Sequence, residues 1–166
     1  MWELWSRRGY LSEGRRWLAA VLARSEAEPA SRDARHLRAK ALSAAGNLAV
    51  YQFDAVAGQA LLEESLARFQ VLGDTWWIAY VLLNLGDSAG LQGDHARAMS
   101  LLEESMGLFR RLGDRWGIAW ALEFSARGLA ASTDPVDARD RHDRALVLQE
   151  ESLAHFRETG DILEAV

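Results

Sequence analysis

Gly86-Asp87-Ser88-Ala89-Gly90 spells the Gly-x-Ser-x-Gly pattern of a hydrolase nucleophile. That chemistry needs a strand before the serine and a helix after it, so that the hydroxyl stands on a sharp turn. Here the pattern falls inside an apolar helical stretch between Leu82 and Leu91, and a catalytic serine is not expected. The carboxylate pairs Glu63-Glu64, Glu103-Glu104 and Glu150-Glu151 suggest acid–base chemistry by type, but adjacent helical residues point about 100° apart. They read as a solvated face. His36, His95, His142 and His155 show no metal-ligand spacing, so packing roles are expected and no metal or cofactor is assigned. With no cysteine in the chain, disulfides, thiolate zinc sites and cysteine nucleophiles are excluded.

The aromatic side chains are a closer contest. Trp76 and Tyr80 stand one helical turn apart, and Trp116 and Trp120 recur 40 residues later at the same phases. Continuing along that face adds Lys40, Ser43 and Asn47 on one helix, Leu83 and Asp87 on the next, and Glu123 and Arg127 on a third. A mixed aromatic and charged groove would suit an extended peptide, or a sugar stacked on an indole. Either at least two of the four rings are open to solvent in that groove, or they fill the stack.

The elements that would position these residues come from an internal repeat, which has to be sought before any other pattern. Leu61-Leu-Glu-Glu-Ser-Leu-Ala-Arg-Phe69 recurs as Leu101-Leu-Glu-Glu-Ser-Met-Gly-Leu-Phe109, and each copy runs on into Leu-Gly-Asp-x-Trp, at Leu72–Trp76 and Leu112–Trp116. A third copy, Glu150-Glu-Ser-Leu-Ala-His-Phe156, follows at an offset of 47, and Arg16 to Arg24 is a weaker fourth. Each unit divides into helices A and B. Asp74, Asp94 and Asp114 are N-cap residues, and Gly93 and Gly113 end the preceding helices. The apolar spacing predicts A helices over 2–8, 32–51, 75–91 and 115–131, and B helices over 12–25, 55–71, 95–111 and 135–158. Asp134-Pro135 reads as an N-cap with proline at the first helical position, so the seven inserted residues lengthen the last B helix at its start. Seven residues turn the apolar face by only about 20°, which lets the stack continue. A kinked or separate short helix is the competing reading. The repeats fall at about 1–30, 31–73, 74–113 and 114–160, with a further helix beginning at 161–166, in one all-α helix-turn-helix domain over 1–166.

Composition agrees. The 166 residues are 49% hydrophobic, with 13 Gly and 2 Pro, and Ala and Leu outweigh the β-branched residues, against an all-β fold. The net charge of −5 argues against nucleic-acid contact by this segment, and Arg7, Arg8, Arg15 and Arg16 read as a solvated face or a domain contact. No apolar run reaches the ~18 residues of a membrane span, and the start Met1-Trp-Glu-Leu-Trp lacks a basic signal region; a cytoplasmic location is the default. Of the 7 Trp, Trp2, Trp5 and Trp17 are assigned to packing of the first unit.

Leu85-Gly86, Gly93-Asp94, Ala98 and Ser105 occupy in order the places that the tetratricopeptide pattern gives to Leu-Gly in helix A, the Gly-Asp turn and the small residues of helix B. The chain thus resembles the tetratricopeptide-like repeats of bacterial LuxR-type or MalT-like transcriptional regulators and related signal-transduction ATPases. The unit is longer than the usual tetratricopeptide, and Ser replaces the common Ala at Ser65, Ser105 and Ser152. The resemblance implies an all-α solenoid of about four repeats of ~40 residues, whose A helices line a concave face. It also implies that His95 and His142 share a place the pattern gives to an aromatic. No Walker-type glycine loop and no DNA reader are present, and Lys40 is the only lysine. A fragment or short relative of a longer array is therefore expected.

The expected function is non-enzymatic: protein or peptide binding in the groove of Lys40, Ser43, Asn47, Trp76, Tyr80, Asp87, Trp116, Trp120, Glu123 and Arg127, as the sensor or scaffold part of a regulator. Asp87 and Glu123 spoil the basic clamp that some tetratricopeptide domains use for C-terminal carboxylates. The other readings are a small-molecule sensor for a sugar or metabolite, and self-association as a homodimer through the C-terminal end, where a B helix has an uncovered flank.

Overall fold

The computed structural model describes residues 10–23, 31–131 and 138–159. Among them are seven helices: α1 (Leu11–Ala23), α2 (Arg32–Tyr51), α3 (Ala55–Leu72), α4 (Thr75–Leu91), α5 (His95–Leu112), α6 (Arg115–Ala131) and α7 (Ala138–Thr159). The predicted bounds of α2, α4 and α6 coincide with these, and those of α3 and α5 fall one residue short. The predicted helix 2–8 and the Asp134-Pro135 cap lie outside the described residues. Helix α7 has 22 residues against 18 in α5, so part of the insertion does lengthen the last helix.

Side-chain caps explain the boundaries. Asp54, Asp74, Asp94 and Asp114 each accept the backbone N–H three residues on, at 3.3, 3.1, 3.1 and 2.8 Å. The helices before them close with the paired carbonyl contacts of a left-handed C-terminal turn, as where Gly113 N–H reaches Arg110 O and Asp114 N–H reaches Phe109 O. Gly73, Gly93 and Gly113 take that turn at φ 68°, 81° and 68°. At the end of α2 the same turn is made by Phe53, at φ 61°, where an L side chain is strained.

The described residues up to Asn84 form one compact unit and those from Leu85 a second. In the first, α2 packs on α1 and on α3. Helices α2 and α3 approach at Gly46 and Gly58: a Cβ on Gly46 would lie 2.8 Å from Leu62 Cγ, and one on Gly58 2.6 Å from Val50 Cγ2. Ser65, fully buried, donates to Ala39 O at 2.8 Å. The serine thus ties helix B to the backbone of helix A. Ser152 repeats the arrangement in the second unit, donating to Ala119 O at 2.9 Å. There Gly86 lies against Leu102, α5 packs on α6 and α6 on α7, around Leu102, Phe109, Leu122 and Phe156.

Two packing expectations are corrected. Trp17 is 63% exposed on α1 instead of buried in the first unit, while Ser12 and Arg15 of the same helix make the contact with the first unit by bonding Gln52, just past the end of α2. His142 is exposed near the start of α7, one turn before the buried Ala145; its repeat partner His95 is half-buried.

Candidate functional site

In the first unit, the cap of α4 organises an aromatic cluster. Asp74 accepts the Trp77 N–H with one carboxylate oxygen and meets His36 Nε2 at 2.8 Å with the other, joining α2 to the start of α4. Trp77 stacks on buried Phe69 at 5.2 Å with 15° between planes, and His36 meets both rings edge-on. Lys40 places its ammonium 4.8 Å over Trp77, a cation held by an aromatic face. Trp76 and Tyr80 stack on each other at 5.4 Å and 10°, as their spacing of one turn predicted.

The repeat pattern does not mark Trp77. It lies about 100° round the helix from the Trp76–Tyr80 stripe, and its repeat counterpart is Gly117, so the repetition that marked the other rings said nothing of it. Its spacing of three from Tyr80, which it meets edge-on at 5.2 Å, was the available signal. Tyr80 is buried, as are Ser43 and Asn47. Ser43 Oγ and Asn47 Nδ2 have no hydrogen-bond partner among the described residues.

In the second unit, Trp116, Trp120 and Phe124 form a ladder along α6, with centroids 6.2 and 5.3 Å apart. Trp120 also meets Phe156 of α7 edge-on at 5.4 Å, and its indole Nε1 is buried with no hydrogen-bond partner among the described residues. The ladder ends at Arg127, whose guanidinium lies 4.6 Å over the Phe124 ring and is ion-paired with Asp87. Asp87 is only 8% exposed. Burial pushes its carboxyl above its ordinary value, and Arg127 opposes that shift by charge and hydrogen bonding. Asp87 and Arg127 stand at a cavity of about 280 Å³ lined also by Leu91, Ala98, Phe124 and Ala131. Glu123 is half-buried on the same helix.

The structure therefore brings Asp87 and Arg127 together, sets Trp116 beside Trp120, and leaves Trp76, Trp116 and Trp120 partly open to solvent. Ser88 lies within α4, 2% exposed, with its hydroxyl accepting from Gln92 at 3.2 Å; it stands on no strand-to-helix turn. The Glu pairs are exposed. No cluster of His, Asp or Glu among the described residues could hold a metal ion. What the arrangement offers is aromatic faces, a buried carboxylate paired with a half-exposed guanidinium, and a small apolar cavity, which is recognition chemistry.

Residues 37–111 match the model of the tetratricopeptide repeat family. The chain accordingly carries a tetratricopeptide-like repeat region, a kind of helical-hairpin array that generally mediates protein–protein interaction and typically serves as a non-enzymatic scaffold. No curated protein matches the chain. No helix among the described residues is long and apolar enough to cross a membrane.

Proposed function

We propose that this chain is a peptide-binding repeat module, and that the α6 ladder with the Asp87–Arg127 cavity takes an apolar side chain of a partner protein. The observation that carries the reading is the cavity itself. Its apolar walls end in a buried carboxylate that a half-exposed guanidinium neutralises, so a bound peptide finds an apolar seat and, at its mouth, donors and acceptors for its backbone. At about 280 Å³ the cavity lies below the usual range for small-molecule sites, which favours one side chain of a longer ligand over a whole sugar or metabolite. Lys40, Trp76 and Trp77 provide a second aromatic and cationic surface in the first unit. In a larger bacterial regulator, such a module would be the sensor or scaffold that couples partner binding to an effector, without touching nucleic acid. Repeats of about 40 residues over 1–166 form the single domain of this reading.

The test is selection from a displayed random-peptide library on the native chain, followed by binding of the enriched peptides to Arg127→Ala and Trp116→Ala. Both variants change partly exposed side chains and should keep their far-UV circular dichroism. Enriched peptides should lose at least about tenfold in affinity on Arg127→Ala, as for removal of a charged hydrogen-bonding partner. Equal binding by both variants would move the site elsewhere. Failure to enrich any peptide, with a fluorescence response to a sugar or a concentration-dependent dimer instead, would replace the reading by sensing or self-association.

A further inference from the structure

The three helical hairpins α2–α3, α4–α5 and α6–α7 repeat one another at offsets of 40 and then 40 or 47 residues. A place where one hairpin has lost a partner that another keeps can therefore be located. In α6–α7, Arg115 at the start of α6 is ion-paired with Glu158 near the end of α7. The same two places in α2–α3 hold Arg35 and Val71. Both line a cavity of about 330 Å³, with Glu64, Ala67, Arg68 and Leu72. Val71 is 83% exposed and offers no acceptor. Arg35 Nε is buried there with no hydrogen-bond partner among the described residues. Arg68 is held by Glu64 at 2.9 Å, so the uncompensated charge of the lining is that of Arg35.

The geometry points to a carboxylate-binding site at Arg35, occupied by an acidic side chain of a partner peptide. The carboxylate stands against Arg35 as Glu158 stands against Arg115, and the neighbouring apolar residue of the peptide lies on Val71, Ala67 and Leu72. A guanidinium with an unused buried N–H gains most from an ionised acceptor, which matches its planar fork. One uncompensated positive charge matches one carboxylate; a phosphate, at about −2, would be left undercompensated beside Glu64. This site goes beyond the Asp87–Arg127 reading and shares no residue with it, so either can fail alone.

The experiment is nuclear magnetic resonance of the arginine Nε–Hε groups of the full chain, titrated with acetyl-Leu-Glu-amide, acetyl-Leu-Gln-amide and inorganic phosphate. The Glu dipeptide should shift the Arg35 resonance and bind at least about tenfold more tightly than its Gln analogue. Arg35→Gln should abolish binding. So should Val71→Glu, which builds at an exposed position the pair that Arg115 and Glu158 make, and which should leave helicity and the urea midpoint undiminished. Equal response to both dipeptides, response to phosphate alone, or undiminished binding by Val71→Glu each overturns the assignment. In the unliganded chain, Glu26→Gln with Glu28→Gln should leave the Arg35 resonance in place; a shift there would make the chain's own carboxylates the occupant and sink the external one.

Discussion

Replacing Phe53 with glycine should stabilise the protein, although the substitution removes a large aromatic side chain. Phe53 holds φ 61° at the turn between α2 and α3, in the place that Gly93 fills one repeat later at φ 81°. The left-handed conformation costs an L residue about 1–2 kcal/mol, because Cβ crowds the following carbonyl. Glycine escapes that cost but adds about 0.5–1 kcal/mol of chain entropy to be lost on folding. The ring is 97% exposed, so no apolar burial is forfeited. The balance is a gain of about 0.5–1 kcal/mol, which for a chain of this size raises Tm by about 1–4 °C. With an m-value of about 2 kcal/mol per molar urea, the midpoint rises by about 0.3–0.5 M at unchanged slope. Gly93→Ala is the mirror experiment. No atom other than those of its chain neighbours lies within 4 Å of its added Cβ, so backbone strain alone acts and the midpoint should fall by a similar amount. If Gly93→Ala destabilises while Phe53→Gly does not stabilise, the turn is strained as described but the Phe53 ring earns its place through contacts, and the reasoning from exposure is refuted. A changed slope would instead place the effect in the unfolded chain.

Two further outcomes follow from contacts within the second unit. Gly117→Ala puts a Cβ 2.2 Å from Cδ1 of the fully buried Phe109, so it should destabilise by about 1–2 kcal/mol even after alanine's better helix propensity, and a thermal melt that is unchanged would refute the close packing of α5 on α6. The folded carboxyl of Asp87 is raised above its unfolded value of about 3.8, so from about 3.8 up to the folded value the native chain binds more protons than the unfolded one and loses stability as pH rises. Asp87→Asn, which reproduces the residue at the equivalent place Asn47, removes this contribution. The gap between native and variant urea midpoints should move in favour of the variant as pH rises through that window, and a constant gap would show that the burial of Asp87 carries no such penalty.

The repeat, the element boundaries and the caps were legible in the sequence because they rest on local physics. An Asp three residues before the N–H it accepts, a glycine at a left-handed turn and apolar residues at helical spacing act within one or two turns of chain. The aromatic stripes of Trp76 with Tyr80 and Trp116 with Trp120 were legible for the same reason: each pair sits one turn apart on its own helix. The partners across helices were not. Trp77 became the centre of the first cluster only because Phe69, His36 and Lys40 converge on it from two other helices. Asp87 read as an intrusion into a basic groove until Arg127, forty residues on, was found neutralising it. Trp17 read as core until α1 turned its other side to α2. Sequence alone determined that this is an array of capped helical hairpins and, to within a residue, where α2 to α6 begin and end. Which charges are answered within the protein, and which, like that of Arg35, are left for another molecule, was decided by the tertiary structure. Charge pairing depends on distances between helices, and those are set by how side chains interlock across the hairpin and not by the spacing along either helix.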